Sequence, residues 1–171
     1  MKKIILLFLL SLISSTAISN ENRFVISEDK TTVKDSESTL LWQRDVSNNG
    51  YTWAQAYDYC DKLSIGALKS GWKLPTLKEL SSLVVEAKKP FFFYIDETAF
   101  PNTLSEFFWS SSASDTQVAA IFFDMSKFPT GLGPDKALGH VRCVQGKISD
   151  SYKPYEKASY NLYTVPRAIA K

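Results

Sequence analysis

The sequence is poor in the residues that mark several protein classes. It contains two cysteines and one histidine, and glycine and proline contribute seven residues each. The few glycines exclude a collagen-like chain, and a single histidine argues against a zinc site. Intrinsic disorder is excluded by what the sequence does contain, which is 44% hydrophobic and 13% aromatic residues. A length of 171 residues fits one globular domain.

Net charge is low as well. The formal charge of +2 comes from Lys2 and Lys3, which lie in a leader that we expect to be removed. Without these two lysines the basic residues equal the 18 acidic residues in number, so bulk charge gives no reason to expect nucleic acid binding. The two signs are unevenly placed, because residues 20–146 are mildly acidic and residues 147–171 are basic.

The N-terminus has the three-part form of a secretory signal peptide. Lys2 and Lys3 precede an apolar stretch at 4–13, and Ala17 and Ser19 supply the small side chains expected before a cleavage site. The apolar stretch is about ten residues long, whereas a membrane-spanning helix needs roughly twenty. We therefore predict cleavage after Ser19 and export to the periplasm, the cell surface or the medium. An uncleaved membrane anchor is the alternative, and no later stretch is long and apolar enough to cross a membrane.

Export determines how the two cysteines are interpreted. Cys60 and Cys143 would meet an oxidising compartment, where an even number of cysteines indicates a disulfide bond. Two buried free thiols are the alternative. A bond would close a long loop and contribute about 4.5 kcal/mol to stability in the chain-entropy model.

Two capping boxes predict where helices begin. In each box a threonine hydroxyl and a side chain three positions later satisfy backbone donors, as expected for Thr52 with Gln55 and for Thr76 with Glu79. The second helix should bury Leu80, Leu83, Val84 and Ala87 and should end at Pro90. The buried face of the first helix is expected to contain Trp53, Ala56, Tyr57, Cys60 and Leu63.

Strand patterns flank the two helices on both sides. The segment 128–134 contains two prolines and two glycines, which predict a loop. The serines at 110–112 are expected to be structural or turn residues. Runs of apolar and β-branched residues predict strands at 24–26, 31–33, 40–42, 107–109, 118–123 and 140–144.

No residue pattern identifies a catalytic site. His140 could act as a base, but a solvated histidine beside a strand is the favoured interpretation. The serines at 110–112 lack the Gly-x-Ser-x-Gly elbow of a nucleophile. Glu79 is explained by its place in a capping box. We therefore predict no catalytic residue and no cofactor.

Calcium and nucleic acid are two further ligand classes that we consider beside a plain solvated surface. Asp115, Asp124 and Asp135 could converge on calcium in the loop-rich half, but their spacing is not that of an EF-hand, and solvated carboxylates are favoured. The lysines at 88–89 precede the aromatic run at 91–94, as on a nucleic acid surface. Cationic residues at a helix C-terminus explain them better. We predict neither a metal site nor nucleic acid binding.

An ordered series of motifs resembles the C-terminal domain of the Legionella collagen-like adhesin, the Lcl C-terminal domain family. The resemblance covers about residues 30–146, and Lys73 stands where the family usually has arginine. The part from Trp72 to Thr76 is also similar to a segment of the formylglycine-generating sulfatase-modifying enzymes, which use further active-site cysteines. The motifs, in order, are Leu41-Trp42-Gln43, Thr52-Trp53, Tyr59-Cys60, the stretch 71–80, Ile95-Asp96, Phe100-Pro101-Asn102-Thr103, Phe108-Trp109-Ser110-Ser111 and Val141-Arg142-Cys143-Val144.

The resemblance implies an α+β, C-type-lectin-like fold, in which two helices pack on short antiparallel sheets with long loops. In that fold a cysteine on the first helix bonds to one on the last strand, which corresponds to Cys60 and Cys143. The family's best-understood member binds sulfated polysaccharides at cell surfaces, often as a trimer. Calcium-dependent lectins use a Glu-Pro-Asn loop and a Trp-Asn-Asp strand, and the nearest strings here, at 100–102 and 109–111, lack the glutamate and the Asn-Asp pair. We therefore expect no calcium-mediated sugar binding.

These observations predict a signal peptide at 1–19, a binding domain at 20–146 and a polar, tyrosine-rich tail at 147–171. The domain is expected to recognise a glycan or an envelope protein, alone or as an oligomer, without catalysis. Its variable surface should span 103–139. The predicted contacts are Asn102 at the edge of this surface, Ser112, Asp115, Asp124 and Lys127.

Most other motif residues are interpreted as scaffold. Arg142 is expected to pair with a buried acid. Two alternatives to an adhesin-like module stay open: a structural accessory of a surface or pilus assembly whose tail docks a partner, and an enzyme on a related fold. The residues predicted to form the core are Trp42, Trp53, Trp72, Leu74 and Trp109.

Overall fold

The computed structural model describes residues 22–47, 49–85, 94–114, 117–123, 130–132 and 137–152, with the backbone alone at 130–132. Within these ranges the chain is α+β, as the sequence predicts. Neither described helix has the length and apolar character that a membrane-spanning helix requires. The elements in chain order are β1 (Phe24–Ile26), β2 (Thr32–Asp35), β3 (Leu41–Gln43), α1 (Trp53–Asp61), α2 (Leu77–Ser81), β4 (Phe107–Ala113), β5 (Val118–Phe122), β6 (Thr130–Leu132) and β7 (Val144–Gln145).

The strands in the described part of the chain form two small antiparallel sheets. The first sheet has the order β1-β2-β3-β7, and the second has the order β4-β5-β6. Strand β7 pairs with β3 opposite Trp42, at Val144. The last strand, β7, therefore joins the sheet that contains the first three strands.

Helix α1 begins as its capping box predicts. Thr52 Oγ1 accepts a hydrogen bond from the backbone nitrogen of Gln55, and Gln55 Oε1 accepts from the backbone nitrogen of Thr52 at 3.0 Å. Ala56 and Cys60 are the buried residues of the helix. Cys60 forms a disulfide bond with Cys143, and their Cα atoms lie 5.5 Å apart. The predicted disulfide is confirmed.

Helix α2 has its predicted start but is shorter than the sequence indicates. Thr76 and Glu79 form the second capping box. The expectation that the helix continues to Pro90 is wrong, because α2 ends at Ser81. The hydroxyl of Ser82 donates to the carbonyl oxygen of Glu79 at 2.7 Å, a local contact that competes with helix continuation. The predicted stripe is buried at Leu80, Leu83 and Val84, and Ala87 lies outside the described residues.

Two β segments differ from the sequence expectations because of long-range pairing. Strand β6 lies inside 128–134, where a loop is predicted, because it pairs with β5. The predicted final strand at 140–144 is reduced to β7 at its end. His140 instead bonds to β4, donating from its backbone nitrogen to the oxygen of Phe107. The segment passes from one sheet to the other and cannot form one continuous strand.

The three serines at 110–112 belong to strand β4 and form no turn. Ser110 Oγ donates to the backbone oxygen of Ala119 in the neighbouring strand at 2.8 Å. The backbone nitrogen of Ser111 donates to the oxygen of Pro75 at 2.7 Å. These contacts attach the second sheet to the segment that leads into α2.

Among the described residues, the core consists of two hydrophobic clusters. One combines the first sheet, α2 and the aromatic side chains of the second sheet, and the other surrounds the disulfide. Trp53, which is predicted to belong to the core, is only half-buried and donates from Nε1 to the oxygen of Ser110 at 2.7 Å. The other predicted core residues are buried, namely Trp42, Trp72, Leu74 and Trp109.

Arg142 does not have the predicted buried acid as its partner. Its side chain is fully buried, and none of the ion pairs among the described residues includes it. The guanidinium donates to the backbone oxygens of Gln43 and Arg44 and to Thr103 Oγ1. The ring centroid of Phe100 lies 4.9 Å from its central carbon. Burial lowers the pKa of Arg142 to about 9, so the group still carries its charge at neutral pH.

Candidate functional site

An open groove lies along the solvent-facing side of α1. Its volume is about 570 Å³, which falls within the range of about 300–1,000 Å³ that small-molecule sites occupy. We call it the α1 groove. The residues that line it include Tyr51, Gln55, Asp58, Tyr59, Lys62 and Leu63.

The α1 groove follows from the helical repeat. Tyr51, Gln55, Asp58 and Lys62 recur at steps of four and three, so they share one side of the helix and the turns that flank it. This side is distinct from the buried residues Ala56 and Cys60. One short helix therefore presents a groove to solvent while a different face carries the disulfide.

Two tyrosine rings form the aromatic part of the groove. The ring centroids of Tyr51 and Tyr59 lie 5.0 Å apart, and their planes are tilted by 39°. The backbone of Tyr51 exchanges two hydrogen bonds with Gly139, at 2.8 and 2.9 Å. Its carbonyl oxygen also accepts from Trp109 Nε1 at 2.7 Å. These contacts fix the start of the groove to the segment that leads towards Cys143.

Tyr59 is held by Gln43 from the first sheet. Gln43 Nε2 donates to the phenol oxygen of Tyr59 at 2.8 Å. Burial raises the pKa of Tyr59, and the hydrogen bond from Gln43 opposes this shift without cancelling it. The phenol therefore keeps its proton at neutral pH and can donate a hydrogen bond.

The polar side chains of the groove supply both donors and an acceptor. Gln55 Oε1 is occupied by the backbone nitrogen and the hydroxyl of Thr52, which leaves the amide NH₂ group of Gln55 as its donor. Asp58 and Lys62 form an ion pair at 3.6 Å, and about three quarters of each side chain is exposed. An exposed pair of this kind contributes little to stability, so its atoms can exchange partners at low cost.

The predicted ligand contacts lie elsewhere or outside the described residues. Asn102 is exposed in a turn and has a positive φ of 59°. Ser112 Oγ accepts from the backbone nitrogen of Leu77 at 2.9 Å, which places it at the start of α2. Neither residue lines the α1 groove. The remaining three, Asp115, Asp124 and Lys127, lie outside the described residues and stay predictions.

Glu79 and His140, two of the polar residues considered for catalysis, are held by structural contacts. Glu79 is buried, its Oε1 lies 2.7 Å from Lys73 Nζ, and its Oε2 accepts from the backbone nitrogen of Thr76 at 2.8 Å. The capping-box interpretation of Glu79 is confirmed. His140 Nδ1 lies 3.2 Å from the backbone oxygen of Ser47. Across the described ranges, no three histidine, cysteine, aspartate or glutamate side chains gather as they would around a metal ion.

The sequence contains a signal for the α1 groove besides the stripe that leads to Cys60 and marks the core. Tyr51, Gln55 and Tyr59 form a second stripe at steps of four, and it combines aromatic and amide side chains. Both tyrosines also pack against the cluster around the disulfide, so this stripe combines packing with the exposed amide of Gln55.

Comparison with known proteins identifies one family. Residues 31–145 match the profile of the Lcl C-terminal domain. The matched range includes both cysteines and all the residues of the α1 groove. No curated protein matches the chain, and no solved structure does so either.

Proposed function

The chain belongs to the Lcl C-terminal domain family, and from this membership we propose that it is an exported binding module that recognises a glycan or a protein at the cell envelope without catalysis. We further propose that the two sheets and two helices form a C-type-lectin-like arrangement. The bond from the first helix to the closing segment, Cys60 to Cys143, supports this assignment. Recognition by surface side chains on a fixed scaffold is the mechanism.

The observation that carries the proposal is the α1 groove and its attachment to the disulfide through neighbouring residues. Tyr59, which lines the groove, directly precedes Cys60 in the chain. Gln43 bonds to Tyr59 with its Nε2 and to the backbone nitrogen of Cys143 with its Oε1. A rigid surface loses little conformational entropy when a ligand binds, so this support favours a binding role.

Export is part of the proposal. Cleavage after Ser19 would deliver the chain to an oxidising compartment, where the Cys60–Cys143 bond persists. N-terminal sequencing of the protein from the envelope and the medium should find Asn20 as the first residue. Recovery of the intact chain beginning at Met1 in the membrane would contradict it.

The binding role is tested with the mature chain, residues 20–171. On a glycan array we expect binding that is the same with calcium and with a chelator. In parallel, crosslinking on intact cells should identify any envelope protein that contacts the chain. A mature protein that binds no glycan and crosslinks to no envelope protein would overturn the proposed function. Mass spectrometry of bound glycans should recover them chemically unchanged, and a changed product would indicate an enzyme.

A structural accessory role is the second candidate, and contacts at the start of the predicted tail favour it. Ile148 is buried, and the Tyr152 hydroxyl accepts from Arg23 Nη2 at 3.0 Å. Lys78 Nζ donates to the backbone oxygens of Ser149 and Asp150. These contacts attach the start of the predicted tail to the body as far as Tyr152, which supports a tail that docks a partner. Deleting residues 153–171 should abolish recovery of the assembly partner, and unchanged recovery would reject this role.

A further inference from the structure

We propose that the α1 groove binds a neutral pyranose ring, with one face of the sugar against Tyr51 and Tyr59 and its hydroxyl groups on Gln55, Asp58 and Lys62. This inference rests on the proposed binding function and names the ligand class of the groove. It differs from the sulfated polysaccharides that the family's best-understood member binds.

The aromatic lining fits the apolar face of a sugar. Aromatic rings carry partial negative charge on their faces, which attracts the weakly positive C–H groups on one side of a pyranose. Tyr51 and Tyr59 are tilted by 39° to each other at 5.0 Å, and both line the open groove. The apolar side chain of Leu63 extends this surface, since Leu63 lines the groove as well.

The polar lining fits the hydroxyl groups of a sugar, each of which both donates and accepts hydrogen bonds. The amide of Gln55, the ammonium group of Lys62 and the protonated phenol of Tyr59 are donors. The carboxylate of Asp58 is the acceptor. Asp58 and Lys62 lie 3.6 Å apart, and adjacent hydroxyl groups of a pyranose can contact both.

The charge of the groove favours a neutral sugar over a sulfated one. Its lining has one carboxylate, on Asp58, and one ammonium group, on Lys62, and these already pair with each other. A sulfate would have to compete with Asp58 for Lys62 and would be repelled by the carboxylate. Sites for sulfate and phosphate in proteins have surplus arginine or lysine, which this groove lacks among its lining residues.

The test measures binding of methyl glycosides to the mature chain by saturation-transfer NMR and titration calorimetry. The panel contains the methyl glycosides of glucose, galactose, mannose and N-acetylglucosamine, with N-acetylglucosamine 6-sulfate as the charged probe. Tyr51→Leu removes an aromatic face, and Asp58→Asn removes the charge of the acceptor. Tyr57→Leu and Asp61→Asn are matched controls, because both residues lie on α1 but outside the groove.

We expect at least one neutral glycoside to bind, and Tyr51→Leu and Asp58→Asn each to weaken it about tenfold. The control variants should bind as the wild type does, and urea unfolding should show that all four variants are folded. Asp58 is exposed, so Asp58→Asn remains informative even if Tyr51→Leu fails to fold.

Three results would overturn the sugar assignment while leaving the binding module intact. They are binding of the sulfated probe alone, binding of a neutral sugar that both groove variants leave unchanged, and capture of an envelope protein by a chain that binds no sugar. A chain that binds neither glycans nor an envelope protein would overturn the binding module and the sugar assignment together.

Discussion

Gln43 and Tyr59 are joined by a hydrogen bond of 2.8 Å between Gln43 Nε2 and the phenol oxygen of Tyr59, although they lie 16 positions apart in the sequence. The other end of the same amide accepts from the backbone nitrogen of Cys143 at 3.1 Å. One side chain thus connects the residue before Cys60 to Cys143 itself. The α1 groove and the disulfide therefore share a polar support in addition to the covalent bond.

We predict that Gln43→Leu destabilises the protein by about 1–3 kcal/mol, because it leaves the buried backbone nitrogen of Cys143 without its partner. Urea unfolding measures the effect. Gln145→Leu is the matched control: Gln145 Nε2 donates to the backbone oxygen of Ser70 at an exposed site, so its loss should cost less than about 0.5 kcal/mol. Equal losses for the two variants would contradict the role assigned to Gln43.

The disulfide should contribute a large share of stability. Cys60 and Cys143 are 83 positions apart, and closing a loop of this length stabilises the folded state by about 4.5 kcal/mol in the chain-entropy model. We expect reductant to lower the free energy of unfolding by about 2–5 kcal/mol. The Cys60→Ala/Cys143→Ala double variant should have the lower stability at the outset and should not respond to reductant.

Alkylation provides a separate check on the same bond. Without reductant, neither sulfur of the native protein should react with an alkylating reagent, as read by mass mapping. Labelling of both cysteines in folded, unreduced protein would contradict the bond. A response of the double variant to reductant would show that reduction acts elsewhere.

Local hydrogen bonds explain which elements the sequence could predict. The capping boxes at Thr52 and Thr76 join residues that are only three positions apart, so the local sequence is sufficient to predict them. The end of α2 was not predicted, because it depends on Ser82, whose hydroxyl bonds to Glu79 and whose backbone oxygen accepts from Arg23. The second contact joins residues 59 positions apart.

The candidate site was harder to predict than the fold for the same reason. The aromatic spacing of Tyr51 and Tyr59 is visible in the sequence, but their placement depends on partners far along the chain. Gly139 holds the backbone of Tyr51, and Gln43 holds the phenol of Tyr59. Strand β6 was missed similarly, since its pairing with β5 outweighs the local turn residues.

Acid pH should destabilise the protein through Asp35. Burial alone would raise the pKa of Asp35, but the hydrogen bonds from Arg23 and Ser38 and the charge of Arg23 outweigh it, so the pKa is lowered. A carboxyl with a lowered folded-state pKa stabilises the fold above its unfolded pKa, and this contribution is lost as the pH falls through the folded value. The free energy of unfolding should therefore decrease as the pH falls below about 4.

The Asp35→Asn variant separates this contribution from the rest of the acid response. We expect it to be less stable than the wild type by about 1–3 kcal/mol at pH 7 and to have a flatter pH dependence below about pH 4. Asp61→Asn, at an exposed position of α1, should keep the full acid response. A variant at Asp35 that follows the wild-type curve in parallel would show that other carboxyls account for it.

Arg142 gives the sharpest test of a buried cation that forms no ion pair among the described residues. Its guanidinium lies 4.9 Å from the ring centroid of Phe100, and Nη2 donates to Thr103 Oγ1 at 3.1 Å. A lysine ammonium cannot lie flat against a ring while donating in several fixed directions. Arg142→Lys should therefore cost about 1–3 kcal/mol, because backbone oxygens that the guanidinium now satisfies would lose their donors.

The control for this prediction is Arg44→Lys, measured by the same urea unfolding. Arg44 donates to the backbone oxygens of Lys30 and Thr98 at 3.5 and 3.3 Å, and these contacts are long and exposed. Hydrogen bonds at such distances contribute little, so this substitution should change the free energy of unfolding by less than about 0.5 kcal/mol. If Arg142→Lys were equally mild, positive charge alone would be sufficient at position 142. The ring contact and the fork of donors would then have no part in stabilising the segment that carries Cys143.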